Sequence, residues 1–371
     1  MKAIAFYLPQ FHQTPENDKW WEKGFTEWTN VKRARAVYRG QTQPKVPLND
    51  NYYNLLDKKT VEWQTKLMHK YGVYGFCYFH YWFTGKKLLY RPAENLLKWK
   101  EIDQPFCFAW ANVTWARTWT AYSGATTDWN CVDRKAAGSG VLLEQEYGTE
   151  QDWIEHYEYL RSFFGDSRYI KVDNKPVFLI YHVEYIKYAK KMLGIWNELA
   201  RQDGFNGIHL VSMNTEISDN AYVEAVVRYG QYGKYDRHYL REAGRLLCKF
   251  FNIKTNRGCV LSYKKVWENM IKEAPADGLK TYPGGVVTYD ETPRKGKNAV
   301  FLRGATPELF EQYIKEQIKK AELVYQSEFI FIDAWNEWGE GNYLEPDQEH
   351  GYAYLEALSR ALDGEGNECL Y

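Results

Sequence analysis

The sequence has few of the signatures that usually announce a function. Its six cysteines stand scattered at 77, 107, 131, 248, 259 and 369, with no Cys-x-x-Cys, which argues against a zinc cluster or a disulfide framework. Cys77 and Cys107 fall inside apolar runs, where a free cysteine behaves as a small hydrophobe. The eight histidines form neither His-Glu-x-x-His nor another close ligand pair, so no metal is expected. There is no Gly-x-Gly-x-x-Gly, no P-loop and no Asp-x-Asp, so no nucleotide cofactor is expected either. Charge of one sign is missing: 48 Lys and Arg balance 48 Asp and Glu, unlike the basic stripe of a nucleic-acid binder. No apolar run approaches the roughly 18 residues of a membrane span. The start, Met1-Lys-Ala-Ile-Ala-Phe-Tyr-Leu-Pro, lacks the apolar core and cleavage site of a signal peptide, so a cytoplasmic location is expected. No internal repeat, low-complexity tract or linker interrupts the chain. The expectation is one domain spanning 1–371, with its oligomeric state left open.

What the chain does have is aromatic side chains. Trp 15, Tyr 31 and Phe 18 bring the aromatic share to 17%, within a hydrophobic total of 45%. That total is ample for a large core. Many of these rings sit beside polar residues at the ends of apolar runs, as the lining of a cleft would.

Short apolar runs alternate with longer amphipathic segments. Eight runs read as strands: Ala3–Tyr7, Gly75–Phe79, Pro105–Ala109, Pro176–Ile180, Ile208–Met213, Ala225–Tyr229, Gly285–Tyr289 and Phe329–Ala334. Helices are expected near 58–70, 92–100, 150–164, 185–203, 219–224, 262–274, 306–324 and 352–362. Continuous apolar strands alternating with helices imply a parallel sheet with both faces covered. Eight such units point to an α/β fold, the closed (β/α)8 TIM barrel, ahead of a doubly wound sheet with a lid. Long segments at Pro9–Asn54 and Asn112–Gly148 follow strands and would decorate the C-terminal face, where barrel active sites lie. A third, Gly230–Gly258, is polar and basic.

The strand ends then supply candidate substrate contacts: Gln10 and His12, His80, Tyr81 and Trp82, Trp110 and Asn112, Tyr181 with His182, Asn214, Tyr235 or its neighbours, and Asp290 with Arg294. The adjoining loops add Trp21, Glu27, Trp28 and Trp115, and the last strand adds Trp335, Asn336 and Trp338. Nearly all are polar or aromatic, which suits a sugar. His12 and His80 read either as substrate contacts or as satisfied core histidines. Glu27 reads as a loop brace or a contact, and Asp290 with Arg294 as an ion pair or as a sugar-fixing pair.

The densest chemistry is Asp333-Ala-Trp-Asn-Glu337-Trp-Gly-Glu340-Gly. Glu337 and Glu340 would face opposite ways along a strand. In a turn they would share a face about 5–6 Å apart, and Gly339 and Gly341 favour the turn. Retaining glycosidases hold two carboxyls about 5–5.5 Å apart and inverting ones about 6.5–9.5 Å apart. Close placement also separates the two pKa values into an acid and a base. The bland reading is a helix cap or a pairing with an arginine.

Several longer words fall in order along the chain: Phe6-Tyr-Leu-Pro-Gln-Phe-His12, Trp20-Trp21, Gly24-Phe-Thr-Glu-Trp-Thr-Asn-Val31, Gly75-Phe-Cys-Tyr-Phe-His-Tyr-Trp82, Phe108-Ala-Trp-Ala-Asn112, Asp290 with Thr292-Pro-Arg294, and Ala334-Trp-Asn-Glu-Trp-Gly-Glu-Gly341 before Tyr343-Leu-Glu-Pro-Asp347. Together they resemble the WbsX-like proteins, which are similar to the endo-α-mannosidases and endo-α-mannanases of glycoside hydrolase family 99. The resemblance runs nearly end to end. It implies a (β/α)8 barrel, no metal, and an oligo- or polysaccharide substrate. It also implies that Glu337 deprotonates the sugar 2-hydroxyl, giving a 1,2-anhydro intermediate, while Glu340 protonates the leaving oxygen and then activates water. Two departures fall in the expected cleft: Val113 stands where the family carries a carboxylate, and Glu291 where it carries Asn. WbsX-like proteins are often labelled glycosyltransferases because they accompany surface-polysaccharide synthesis. A transferase making O-antigen or capsule, and a non-catalytic carbohydrate-binding barrel, are therefore the alternatives to a retaining hydrolase of α-linked mannan- or rhamnan-like glycans.

Overall fold

The computed structural model describes residues 1–116, 140–215, 222–230, 232–236 and 258–363. Trp119, Trp129, Cys131, Cys248 and Cys369 lie outside these residues, as do most of Asn112–Gly148 and Gly230–Gly258.

The chain folds as a (β/α)8 barrel. Its strands are β1 (Lys2–Tyr7), β2 (Val73–Phe83), β3 (Phe106–Trp110), β4 (Lys175–Ile180), β5 (His209–Met213), β6 (Val223–Val227), β7 (Lys280–Tyr282), β8 (Gly284–Val286) and β9 (Phe329–Asp333). They pair in the order β7-β6-β5-β4-β3-β2-β1-β9-β8, every pair parallel. β7 and β8 are two halves of one run, separated only by Pro283. One half pairs with β6 and the other with β9, which closes the sheet on itself. Tyr282 O accepts from Arg228 N on one side of the break, and Pro283 O accepts from Phe331 N on the other. Proline has no N–H to contribute to a ladder, so it sits where the strand changes partner. Gly284 follows because a Cβ there would lie 2.1 Å from Arg228 O.

The strands are buried on both faces, as an all-parallel sheet requires. Helices cover the outside and begin where local chemistry starts them. Thr306 caps Pro307–Leu323 by accepting from Leu309 N, with Pro at the first position and Glu308 in the first turn. Thr149 and Asp152 form a capping box on Glu150–Phe164. Burying each Phe or Leu of such faces contributes about 1.5–3 kcal/mol.

Three expectations need adjusting. β2 runs on past Phe79 to Phe83, so His80, Tyr81 and Trp82 lie within the strand. The helix expected at 219–224 is contradicted where it can be seen: Val223 and Glu224 open β6, because the run Val-Glu-Ala-Val-Val pairs with β5. Tyr235 turns away from the barrel mouth to donate to Glu273 Oε2 at 2.5 Å; β6 instead delivers Tyr229. No helix among the described residues is long and apolar enough to cross a membrane.

Candidate active site

The site is built on the turn after β9. Trp335 N donates to Phe6 O at 2.8 Å, which carries the chain over the end of β1. Asn336 then locks onto Leu8: its Oδ1 accepts from Leu8 N at 2.7 Å and its Nδ2 donates to Leu8 O at 3.1 Å. Residues Trp338–Glu340 form one 3-10 turn, and Gly341 leaves it at φ 52°. This turn answers the question posed by the spacing of the two acids. Glu337 and Glu340 sit at its two ends and face the same arginine.

That arginine is Arg294, presented by the helical turn Thr292–Lys295. Its Nη2 donates to Glu337 Oε2 at 2.9 Å, its Nη1 to Glu340 Oε1 at 2.6 Å, and its Nε to Glu27 Oε1 at 2.9 Å. Gly339 makes room for this clamp, since a Cβ there would lie 1.7 Å from Glu27 Oε1. Three carboxylates on one guanidinium leave an excess of negative charge in a desolvated place. Burial pushes both Glu337 and Glu340 above the usual carboxylate range, Arg294 opposes it, and mutual repulsion adds to it at Glu337. Such a pair retains a proton at a pH where free carboxylates have lost theirs. The side chain of Glu337 is 5% exposed and that of Glu340 19%, so Glu340 is the one that reaches the open space.

That space is a cavity of about 580 Å³ at the C-terminal mouth of the barrel. Of the expected contacts, Tyr81, Asn112, Tyr181, His182, Arg294, Glu337 and Glu340 line it. Phe79, Tyr147, Tyr185, Tyr229 and Tyr289 complete its aromatic wall. Val113, Glu291 and Asp333 also border it. The Glu291 carboxylate is engaged by Tyr289 Oη, Lys295 Nζ and Val300 N. Tyr229 and Tyr289 were legible as strand-end residues, whereas Asp333 reads in the sequence only as the close of an apolar strand.

A second group sits directly behind the site. Glu27 holds Arg294, and Asn336 holds Leu8. Asp290 accepts from Gln41 and Gln43 and from Thr292 N, at 2.9–3.1 Å, shaping the loop that presents Arg294. Trp338 stacks on Tyr343 at 3.7 Å and lies 5.4 Å from Trp28. Both indoles are buried, Trp28 donating to Tyr53 O. Beneath the turn, Glu345 accepts from Trp338 Nε1, Tyr53 Oη and Gln64 Nε2, each at 2.7 Å. Burial pushes Glu345 up to about 7.

The remaining expected contacts lie apart from the cavity. His80 bonds His156 at 2.8 Å, Trp82 stacks flat on His156 at 4.5 Å, and Trp110 donates to Trp82 O. This cluster is wedged between the strands and the covering helices. Burial drives His80 down to about 3. Trp335 packs on Phe76 at 4.7 Å, and Asn214 accepts from Tyr229 N at 2.7 Å. Trp115 meets Tyr81 edge-on at 5.2 Å. Trp21 packs on Phe25 at 5.8 Å, and Gln10 and His12 are buried in the same long loop.

Comparison with known proteins agrees with the barrel fold. Two curated relatives, the "uncharacterized protein WxcX" of two strains of Xanthomonas campestris pv. campestris, are each 31% identical over 369 residues. The match covers 97% of this chain and 49% of theirs, so the chain spans about half the length of these relatives. Among solved structures, the GH99 endo-α-mannosidase of Bacteroides thetaiotaomicron in complex with bis-tris propane superposes with a TM-score of 0.58 at 15% identity. It covers 98% of this chain and 96% of its own. A "glycoside hydrolase-like protein" gives 0.58 at 13% identity, covering 97% and 93%. At such identities the likeness establishes the fold alone. The family model described as "Glycosyltransferase WbsX" matches residues 3–358, and the chain belongs to the WbsX family.

Proposed function

We propose that this protein is a retaining glycoside hydrolase acting on α-linked glycans of the mannan or rhamnan type. The observation that favours this most is the paired presentation of Glu337 and Glu340 by one guanidinium at the edge of a tyrosine-walled cavity. In the proposed reaction Glu337, deep and braced, takes the proton of the sugar 2-hydroxyl. The freed oxygen attacks the anomeric carbon as the glycosidic bond breaks. Glu340, nearer the open space, gives its proton to the leaving oxygen. It then removes a proton from water, whose oxygen attacks the anomeric carbon; the bond from that carbon to the 2-oxygen breaks, and Glu337 hands its proton back to the 2-oxygen, so both carboxyls regain their starting states. Two inversions give net retention. Burial supports the roles by keeping a proton on the pair, and Arg294 limits the repulsion once one carboxyl has ionised.

The family's printed description supports a transferase as the second reading. A nucleotide-sugar donor carries a diphosphate, which needs cations. Arg294 is the only Lys or Arg among the described residues lining the cavity, and three carboxylates already engage it. That favours a neutral glycan over a nucleotide sugar. The test compares wild type with Glu340→Gln on α-mannans, rhamnans and bacterial surface polysaccharides, reading released reducing ends. Product from wild type alone is the expected result. No product from either, together with calorimetric binding of a nucleotide sugar, would move the assignment to the transferase.

A further inference from the structure

A third carboxyl group in this cavity takes no part in the steps above. Asp333 closes β9, is 4% exposed, and lines the cavity together with Glu337 and Glu340. Its two oxygens differ. Oδ2 accepts from Tyr232 Oη, whereas Oδ1 is buried and makes no hydrogen bond among the described residues.

The Tyr232 contact belongs to a chain that leads back to the catalytic turn. Asn342 Nδ2 donates to Tyr232 Oη at 3.5 Å, and Thr288 N donates to Asn342 Oδ1 at 3.3 Å. Thr288 Oγ1 donates to Gly341 O. Gly341 directly follows Glu340 and ends the turn. Asp333 is therefore linked by hydrogen bonds to the backbone that aims the proposed acid.

The groups facing Asp333 are all acidic or weakly acidic. Glu337 and Glu340 come from the turn after β9, Tyr229 and Tyr232 follow β6, and Tyr181 follows β4. Among the described residues, no lysine, arginine or histidine is one of the main groups that set its acidity. An ionised Asp333 would add another negative charge to a site already crowded with them.

We propose that Asp333 works as a neutral carboxylic acid, a positioning residue that steadies the Glu340 turn through Tyr232, Asn342 and Thr288 and keeps an extra charge out of the cavity. Burial pushes Asp333 up to about 8; the hydrogen bonds of Tyr232, Asn342 and Tyr229 oppose this and the charge of Glu340 adds to it, so the neutral form dominates at neutral pH. The proposal rests on the hydrolase reading for its catalytic consequence but not for the protonated state itself, and the two are tested separately.

Infrared difference spectroscopy of wild type and Asp333→Asn reads the protonated state without any substrate. The expected result is a carbonyl band of a buried, protonated carboxyl at pH 6.5 that fades as pH rises past about 8 and is absent from the Asn variant. A wild-type spectrum lacking that band overturns the proposal whatever the enzyme's substrate. Kinetics on a polysaccharide that wild type cleaves reads the consequence. Asp333→Asn, similar in shape but never ionised, is expected to turn over at neutral pH and to decline less than wild type between pH 7 and 9. Asp333→Ala, which severs the chain, is expected to lower kcat about 10- to 100-fold with little change in KM. A folded Asn variant that is inactive at every pH, or one with the wild-type alkaline decline, would overturn the positioning role. A wild type that cleaves no glycan while still giving the infrared band would refute the hydrolase reading alone.

Discussion

β2 delivers two groups of side chains to two different places, and they differ sharply although their compositions are alike. Phe79 and Tyr81 point to the cavity, where Glu337 and Glu340 wait. His80 and Trp82, between and beyond them, point the other way, into a nest with His156, Trp110 and Trp196 under the helices. On the inner side the polar groups carry charge in excess and hold open space. On the outer side they are packed ring on ring, and burial drives His80 and His156 well below the usual histidine range. The same residue types line the cavity in one place and pack in the other, and the parity of the strand decides which.

The largest effect expected on this contrast comes from the inner acids. Glu337→Gln and Glu340→Gln should each lower turnover about 10²–10⁴-fold while the melting curve stays cooperative. Wild-type rates in both variants would remove these residues from the chemistry.

Next comes the clamp between them. Arg294→Met leaves Glu27, Glu337 and Glu340 buried without their shared cation. Breaking such a buried network costs about 3–5 kcal/mol, read as a lower denaturation midpoint. Activity should fall with it. Arg294→Lys should restore part of the stability but little of the activity, because an ammonium cannot hold three carboxylates in one plane.

The pH dependence of stability should show the same side of the comparison. Asp333 and Glu345 have raised folded-state values, about 8 and about 7, against ordinary unfolded ones. The folded state therefore binds protons more tightly, and their stabilising effect is complete below about pH 4. It is lost progressively as pH rises from about 4 to 7 for Glu345 and to 8 for Asp333, by on the order of 3 kcal/mol for Glu345 and about 5 kcal/mol for Asp333 at most. Denaturation of Asp333→Asn should fall less steeply over that range, and a slope equal to wild type would count against the buried protonated acid.

The smallest effect on activity belongs to the outer nest. His156→Phe removes the partner of His80 Nε2 and should cost about 1–3 kcal/mol of stability, with turnover per folded molecule within twofold of wild type. A hundredfold loss of activity there would mean that the two sides of β2 are not independent.

Much of the barrel was written in the chain. Runs such as Ala3–Tyr7 and Phe329–Ile332 are apolar throughout, so their strands could be placed almost to the residue. β2 shows why direction was harder. Every residue from Phe76 to Phe83 is aromatic, cysteine or histidine, so a strand buried on both faces offers no alternation to separate inside from outside. His80, Trp82 and Trp110 were therefore as plausible at the mouth as Tyr81. The closure at Pro283 was hidden for another reason: each half of the seventh strand is only three residues long. At the site, the spacing of Glu337 and Glu340 could be read, but their shared partner Arg294 meets them through a turn whose direction depends on Asn336 gripping Leu8.

That grip spans 328 positions of sequence. The backbone of Leu8 waits for an amide that a ribosome adds near the other end of this stretch, after every other strand of the barrel has been made. The early residues must therefore remain without this partner until nearly all of this stretch has been made. The acids cannot be aimed until the last strand slots between the first and the split seventh. The proposed site is thus completed last: a chain that stops before Asn336 has neither the grip on Leu8 nor the two acids.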